Sequence, residues 1–597
     1  MQNGISSLEN LFAVSAFRIP QYQRAYSWDP EPQLEAFLED LRQQVRTQKT
    51  ALAKQYFLGT FLLHEQDVGD GKVVVNVVDG QQRMTTSVLF IATALALEAK
   101  GSISLAPEKS ALLRRHFVFD DADERQKFHT IAEDEPIFRS AILGIAAAAD
   151  ESASASSRRL RDAAQFFIEH VAHDEWAPLV AALKTARVMV YSVDTAEAAT
   201  QIFELQNDRG KPLTSLEALK SFLMHCIYLH SPRNADDRLG AMQTQFAKIF
   251  RTVEALADQP GAPDEDRVLA YHCAAYLRWT EKDEYSSPKQ LVKRTVKGTA
   301  EPEIIGRVEA FVAGLVDTYG TVKQLFERQD KLPELAELLL LRRMASFWPL
   351  LLKTWGHDQT TDKRQFRKVC RLLEVFAFRA YAVANLRADT SQSWLHARAR
   401  DFAGDFPTLL QQLTGLCDEY RLEEKFAAGL DNPAFYQSEG GDGLYLLFRY
   451  ENHLRSQKGK VQPLLTWRDY VEPRNYAAKL SVEHVAAQGH PIAETDVAWD
   501  DKEAKPFADV ALHRLGNLVI DSVSPNASKG KKDFTDKLKS LSEESIYLSQ
   551  GELIRFVKGP ANPSWDVEAI RARHAHLLAF AQKTWNPQHW HDDGAKP

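Results

Sequence analysis

Glu483 and His484 stand side by side in a chain of 597 residues. His513-Arg514-Leu515-Gly516-Asn517-Leu518, then Asn526, Lys529 and Lys537, follow in that order. Cutting a phosphodiester requires a base that activates water and a divalent ion that stabilises the leaving oxygen. A histidine beside a carboxylate, with a distant asparagine as a second oxygen ligand, meets both needs with few parts. Oxygen ligands favour Mg2+ or Mn2+ over zinc. The competing assignment puts Glu483-His484 in a surface strand and makes Asn517 the cap of a turn. It is the commoner outcome for a lone Glu-His pair, but the combined pattern is rarer. His490 and His513 read as structural or surface residues.

A second cluster lies near the start of the chain, at Val78-Asp79-Gly80-Gln81-Gln82-Arg83. It places a glycine where a strand meets a helix, so the backbone can approach a ligand and the free N–H groups of the helix start favour an anion. Arg83 adds a planar fork suited to phosphate oxygens. Asp79 has the chemistry to hold a magnesium ion or a water, and Gln81 or Gln82 to orient an attacking water. A plain strand–turn–helix connection, with Asp79 as N-cap and Arg83 in a surface ion pair, uses the same residues. Two further segments carry similar chemistry: Ile19-Pro20-Gln21-Tyr22-Gln23-Arg24 with Tyr26 and Trp28, and Phe203 to Gly210 followed by Pro212-Leu213-Thr214. No glycine–lysine loop of the P-loop type is present.

The elements that must position these residues are legible from pattern. KVVVNVVD and YFLGTFLL read as strands, and DGQQRMTTSVLFIATALALEA as a helix packed on a sheet. Asp29-Pro30 reads as a helix start, with Leu34, Phe37, Leu38, Leu41 and Val45 on one face. VMVYSVD is a further strand candidate. The stretch 146–161 reads as a flexible loop, and 257–266 and 283–301 as surface loops. From about 240 to 455 almost every segment has helical periodicity, and short mixed elements return from about 460. The expected fold class is therefore α+β and predominantly helical. Its expected domains are residues 1–235, a helical scaffold or dimer interface over 236–455, and 456–597.

Composition narrows the classes of function. Hydrophobic residues make up 44% and charged residues 26%, ordinary globular values that exclude a disordered chain. The net charge is −8, so contact with DNA must come from local patches rather than from a basic surface. One such patch is the run of five lysines in 529–539, which is either a solvated helix face or local positive potential for a DNA backbone. The Arg-rich stretch 379–401 offers a weaker candidate. Cys226, Cys273, Cys370 and Cys417 form no CxxC pair, which argues against a thiolate zinc site or a disulfide framework. The longest apolar run, Val88 to Leu97, is too short to span a bilayer. With no leader pattern at the N-terminus, a cytoplasmic protein with no membrane contact is expected.

The I-P-x-Y-Q-R-x-Y-x-W segment from Ile19 to Trp28, the D-G-Q-Q-R box from Asp79 to Arg83 and the F-x-x-x-N-x-x-G-x-x-L segment from Phe203 to Leu213 together resemble the N-terminal domain of GmrSD-type restriction endonucleases. The E-H-hydrophobic strand and H-x-L-G-N-L segment resemble the HNH (His-Me finger) nuclease module fused to that domain. The resemblance implies a ParB/sulfiredoxin-like α/β domain, then the helical middle, then a ββα-metal HNH domain embedded in helices. It implies a site for a nucleoside triphosphate (GTP, UTP or another), hydrolysed there in a GTPase-like manner. That site comprises Tyr22, Gln23, Arg24, Asp79, Gly80, Gln81, Gln82, Arg83 and Asn207. It further implies His484 as general base, Glu483 and Asn526 as ligands of Mg2+ or Mn2+, and Asn517 holding the loop or orienting the histidine. Lys529, and with it Lys537, would face the phosphate.

The implied activity is nucleotide-gated, modification-dependent cutting or nicking of double-stranded DNA in anti-phage defence. The modification would lie on a base or as a phosphorothioate in the backbone, and a homodimer would let two centres cut both strands. A DNA-binding sensor with an inactive HNH centre, and an ungated nuclease, are the competing expectations. The stretch between His484 and Asn517 is longer than in compact HNH modules, so the strand pairing there stays open.

Overall fold

The computed structural model describes residues 4–21, 23–47, 56–67, 73–105, 107–146, 154–193, 214–231, 234–257, 259–458, 463–471, 479–488, 495–499, 503–523, 534, 537, 545–557 and 564–590. It is a mixed, mostly helical α+β structure that divides into two compact units, Met1–Ala255 with Pro288–Asp317, and Leu256–Ser287 with Thr318–Pro597.

The first unit is built on a six-stranded mixed sheet. Its strands are β1 (Gly4–Ser7), β2 (Phe17–Arg18), β3 (Phe57–Asp67), β4 (Val73–Asp79), β5 (Phe128–His129) and β6 (Arg187–Val193), in the spatial order β1-β6-β3-β4-β2-β5. The pairings β1–β6 and β3–β4 are antiparallel; β3–β6, β2–β4 and β2–β5 are parallel. β4 is the Val-rich run read from the sequence, and its Val75, Val77 and Val78 are buried. It feeds α2 (Gln81–Ala99), which is buried continuously from Met84 to Ala94, as expected of a helix that is apolar on every face. Around it pack α3 (Ala155–His170) and α4 (Trp176–Lys184). Phe90 stacks on Trp176 and meets Phe167 edge-on, both with ring centroids 4.9 Å apart.

Two expected loops are helical instead. α3 begins at Ala155, inside the stretch read as a flexible loop, because Ser154 caps it by accepting a hydrogen bond from the Ser157 N–H. Residues Pro288–Lys297 form a helix that buries Leu291, Val292 and Val296, an apolar spacing that its charged neighbours obscure in the sequence. The helix expected after Asp29-Pro30 is regular only from Glu35, as α1 (Glu35–Thr47), since Pro30–Leu34 form an irregular turn. α5 (Ser215–His230) opens on a capping box between Thr214 and Glu217.

The second unit is helical around a buried ionic network. Glu374 on α6 (Arg364–Ala377) accepts hydrogen bonds from Tyr445 Oη, Arg449 Nη1 and Trp585 Nε1, each at 2.7 Å. Arg371 adds a further contact at 3.2 Å. Burial alone would raise the Glu374 carboxyl, but the two arginines outweigh it and hold it below the usual range. α7 (Phe435–Gln457) carries Tyr445 and Arg449. The four cysteines are buried, each as a thiol rather than half of a disulfide. In the Arg-rich stretch, Arg387 pairs with Asp389, Arg400 with Asp401, and Arg398 lies over Trp394. Among the described residues no helix is long and apolar enough to cross a membrane.

Candidate active site

In the second unit the strand carrying Glu483 and His484 is β7 (Leu480–His484). It pairs antiparallel with β8 (Leu518–Ser522), with Leu518 opposite His484 and Val519 opposite Glu483. The long connection between them does not disturb this register. Two devices hold the H-x-L-G-N-L turn that leads into β8. Gly516 lies so close to α8 (Val567–Thr584) that a methyl group there would sit 2.3 Å from the Ile570 carbonyl oxygen, and nothing larger than glycine fits. Arg573 on α8 donates Nη1 to the carbonyls of Gly516 and Leu518, both at 2.7 Å. Arg514 is anchored to Asp431 at 2.7 Å and lies over the Trp499 ring.

Asn517 is fully buried and fully bonded. Its Oδ1 accepts from the Ala486 N–H at 2.8 Å and from Trp565 Nε1 at 2.9 Å. Its Nδ2 donates to the carbonyls of Leu512 and Ala486 at 2.8 and 3.2 Å. Two of these four bonds go to Ala486, in the loop that follows His484, and the other two tie that loop to Leu512 and Trp565.

Glu483 and His484 are both nearly buried. The Glu483 carboxylate takes the Lys537 ammonium at 2.6 Å, and the same ammonium donates to the His484 carbonyl at 2.9 Å. Lys537 is only 1% exposed, so it faces this carboxylate rather than solvent. His484 contacts another ring on each side. Its Nε2 lies 3.2 Å from His513 Nδ1, its Nδ1 lies 3.0 Å from Gln488 Nε2, and Tyr436 meets it edge-on at 4.5 Å. Burial, with His513 and Lys537 adding to it, pushes the His484 imidazole down to about 3, and burial also lowers His513. The downward shift favours the neutral form of both rings, the form from which a general base accepts a proton.

Among the described residues no group of three His, Cys, Asp or Glu side chains could hold a metal ion. Asn526 and Lys529 lie outside the described residues. The ammonium of Lys537 is bonded to Glu483 Oε1, so an ion held by Glu483 would have to displace it or share the carboxylate.

In the first unit, Gly80 has a left-handed backbone (φ 90°) between β4 and α2. A methyl group on it would lie 2.2 Å from the Phe61 ring. The close approach that requires glycine is thus made by a core ring. The two N-terminal segments are knitted together here. Gln82 accepts from the Ser27 N–H at 3.0 Å and donates to the Ala25 carbonyl at 3.1 Å. Gln23 donates to the Val78 carbonyl at 2.6 Å, while its buried Oε1 has no partner among the described residues. Tyr26 Oη is 2.8 Å from Thr86 Oγ1. Arg83 spends one hydrogen on the Leu58 carbonyl and one on that of Thr60, at 3.0 and 2.9 Å, and lies 3.8 Å from Asp79. Both Asp79 and Arg83 are about one-third open to solvent. Arg24 is lowered by burial, opposed by the charge of Glu217 on α5. Gln81 is buried. Tyr22 and Asn207 lie outside the described residues.

The sequence reading discounted His513, although it sits four positions before Asn517 in the same segment. It gave Tyr436 and Gln488 no role, since neither falls in a motif.

Two family models match the chain: GmrSD restriction endonuclease, N-terminal domain, over residues 8–224, and GmrSD restriction endonucleases, C-terminal domain, over residues 420–580. No curated protein matches it.

Proposed function

Because the chain belongs to the GmrSD restriction endonuclease family, and is thereby a restriction-type DNA endonuclease, we propose that the β7–β8 site makes the cut and that the Asp79–Arg83 site gates it. The observation that carries the first half is the geometry of the His484 imidazole, held at the end of a strand by ring and amide contacts and backed by the stapled Asn517 loop. His484 takes a proton from water, and the water oxygen attacks the phosphorus. Glu483 and Asn526 would hold Mg2+ or Mn2+, and a bound ion would stabilise charge on the phosphate oxygens. Lys529 would face the phosphate.

The gating half rests on Asp79 and Arg83, partly open beside a helix start whose free N–H groups favour an anion. A nucleoside triphosphate bound there, to which Arg24 and Asn207 would also contribute, would license cutting of modified DNA and restrain cutting of host DNA. The test is a panel of plasmids, unmodified, base-modified and phosphorothioate-modified, incubated with Mg2+ or Mn2+ and each triphosphate in turn. Cutting that depends on both a triphosphate and a modification, and that loses its triphosphate response in Asp79→Ala, supports the gate. Cutting indifferent to nucleotide in both proteins means an ungated nuclease.

A further inference from the structure

A general base must present one bare nitrogen to water, and its other nitrogen must carry a proton that something accepts. On His484 the two nitrogens have different surroundings. The side-chain nitrogen of Gln488, a donor that cannot accept a proton, lies 3.4 Å from Nε2 and closer, at 3.0 Å, to Nδ1. Gln488 is exposed, so it can swing aside and leave that nitrogen to water. Nε2 faces the Nδ1 of His513 at 3.2 Å, behind which the Tyr436 ring lies parallel to the His513 ring at 5.9 Å. The Tyr436 N–H is also bonded to the His513 carbonyl at 3.0 Å, which fixes the two residues to each other. A bare Nε2 would face a neighbouring ring rather than water.

From this geometry we infer that His513 is the positioning residue of His484, its Nδ1 accepting the Nε2–H of His484 so that Nδ1 is the nitrogen left bare for water. The inference rests on the reading of β7–β8 as a nuclease site. In the reaction a water O–H bond breaks and its proton goes to His484 Nδ1. The water oxygen forms a bond to phosphorus, and one phosphorus–oxygen ester bond breaks. His484 then carries a positive charge, and its Nε2–H bond to His513 becomes charge-assisted and stronger. His513 thus does for His484 what an orienting carboxylate does for a catalytic histidine, without adding a negative charge beside Glu483.

Two substitutions in the full-length chain separate this role from simple packing. His513→Phe keeps a ring against Tyr436 and removes the acceptor. His513→Asn removes the ring and keeps an acceptor oxygen near the Nδ1 position. On the DNA that the wild-type protein cuts, kcat should fall about 100-fold in His513→Phe with KM unchanged, and stay within about tenfold of wild type in His513→Asn. The reverse order, with phenylalanine near wild type and asparagine impaired, overturns the inference in favour of packing. Loss of Mn2+ binding in both variants by calorimetry also overturns it, because His513 would then be a metal ligand.

A second readout needs no cleavage. In protein labelled with 15N-histidine, the His484 signals are assigned by their absence in His484→Ala. They should report a proton on Nε2 in the wild type and a loss of that preference in His513→Phe. A proton on Nδ1 in the wild type overturns the inference. If His484→Ala cuts as well as wild type, the nuclease reading has failed, and the labelling result still decides the role of His513.

Discussion

Lys537 places its ammonium 2.6 Å from the Glu483 carboxylate, with both side chains buried next to His484. A buried pair of this kind stabilises little by its presence, yet breaking it leaves an uncompensated charge. Lys537→Met should therefore destabilise the second unit by about 3–5 kcal/mol, and Glu483→Gln by a similar amount. The double variant Lys537→Met with Glu483→Met should cost clearly less than the two losses added together. Urea unfolding of the four proteins checks this, and simple additivity would mean the two groups do not meet.

Gly80 and Gly101 both have positive φ, but only Gly80 has a neighbour in the way. Gly80→Ala must strain the backbone and push into Phe61, at a cost of about 2–4 kcal/mol. Gly101→Ala meets nothing within 4 Å and should cost only the backbone strain, about 1 kcal/mol. Equal losses in urea unfolding would mean that the Phe61 contact is unimportant.

Gln82 has both ends of its amide on the backbone of Ala25 and Ser27. Gln82→Ala should destabilise the first unit by about 1–3 kcal/mol even with no nucleotide present. Asp79→Ala should leave stability near wild type, because Asp79 is partly exposed and its contact with Arg83 spans 3.8 Å. A Gln82→Ala protein of unchanged stability would contradict the clamp.

Burial pushes the His272 imidazole, 2.7 Å from Thr318 Oγ1, down to about 3, and that of His396 to about 4. The unfolded chain takes up these protons near the ordinary histidine value of about 6.5. Below that pH the unfolded state binds more protons than the folded one, so stability is complete above about 6.5 and is lost as pH falls towards about 3. His484 acts in the same direction. His272→Gln should flatten the dependence of stability on pH in this window by about one proton. An unchanged slope would mean that His272 is protonated in the folded protein.

Much of the framework was legible because it is local. The valines of β4, the glycine at residue 80 and the apolar run of α2 announce a strand, a turn and a buried helix. The pairing of β7 with β8 was not legible, because the long connection hides the register. The candidate site was read only in part, for the same reason. His484 and Asn517 stood out, but Lys537 was expected to face phosphate and instead faces Glu483. His513 was set aside until the fold brought its ring to His484. Gln82 carried the chemistry to orient a water, and nothing in its local sequence says that the backbone of Ala25 and Ser27 has claimed both ends of its amide.

The measurement that tests the central claim most directly is plasmid cleavage by purified wild-type protein and His484→Ala, in Mg2+ or Mn2+ with triphosphate and modified DNA. Residue 484 should decide the outcome: wild-type protein nicks or linearises the plasmid, and His484→Ala leaves it supercoiled by a factor of about 100 or more in rate. Equal cleavage by the two proteins would contradict the assignment of His484 as the base that cuts DNA.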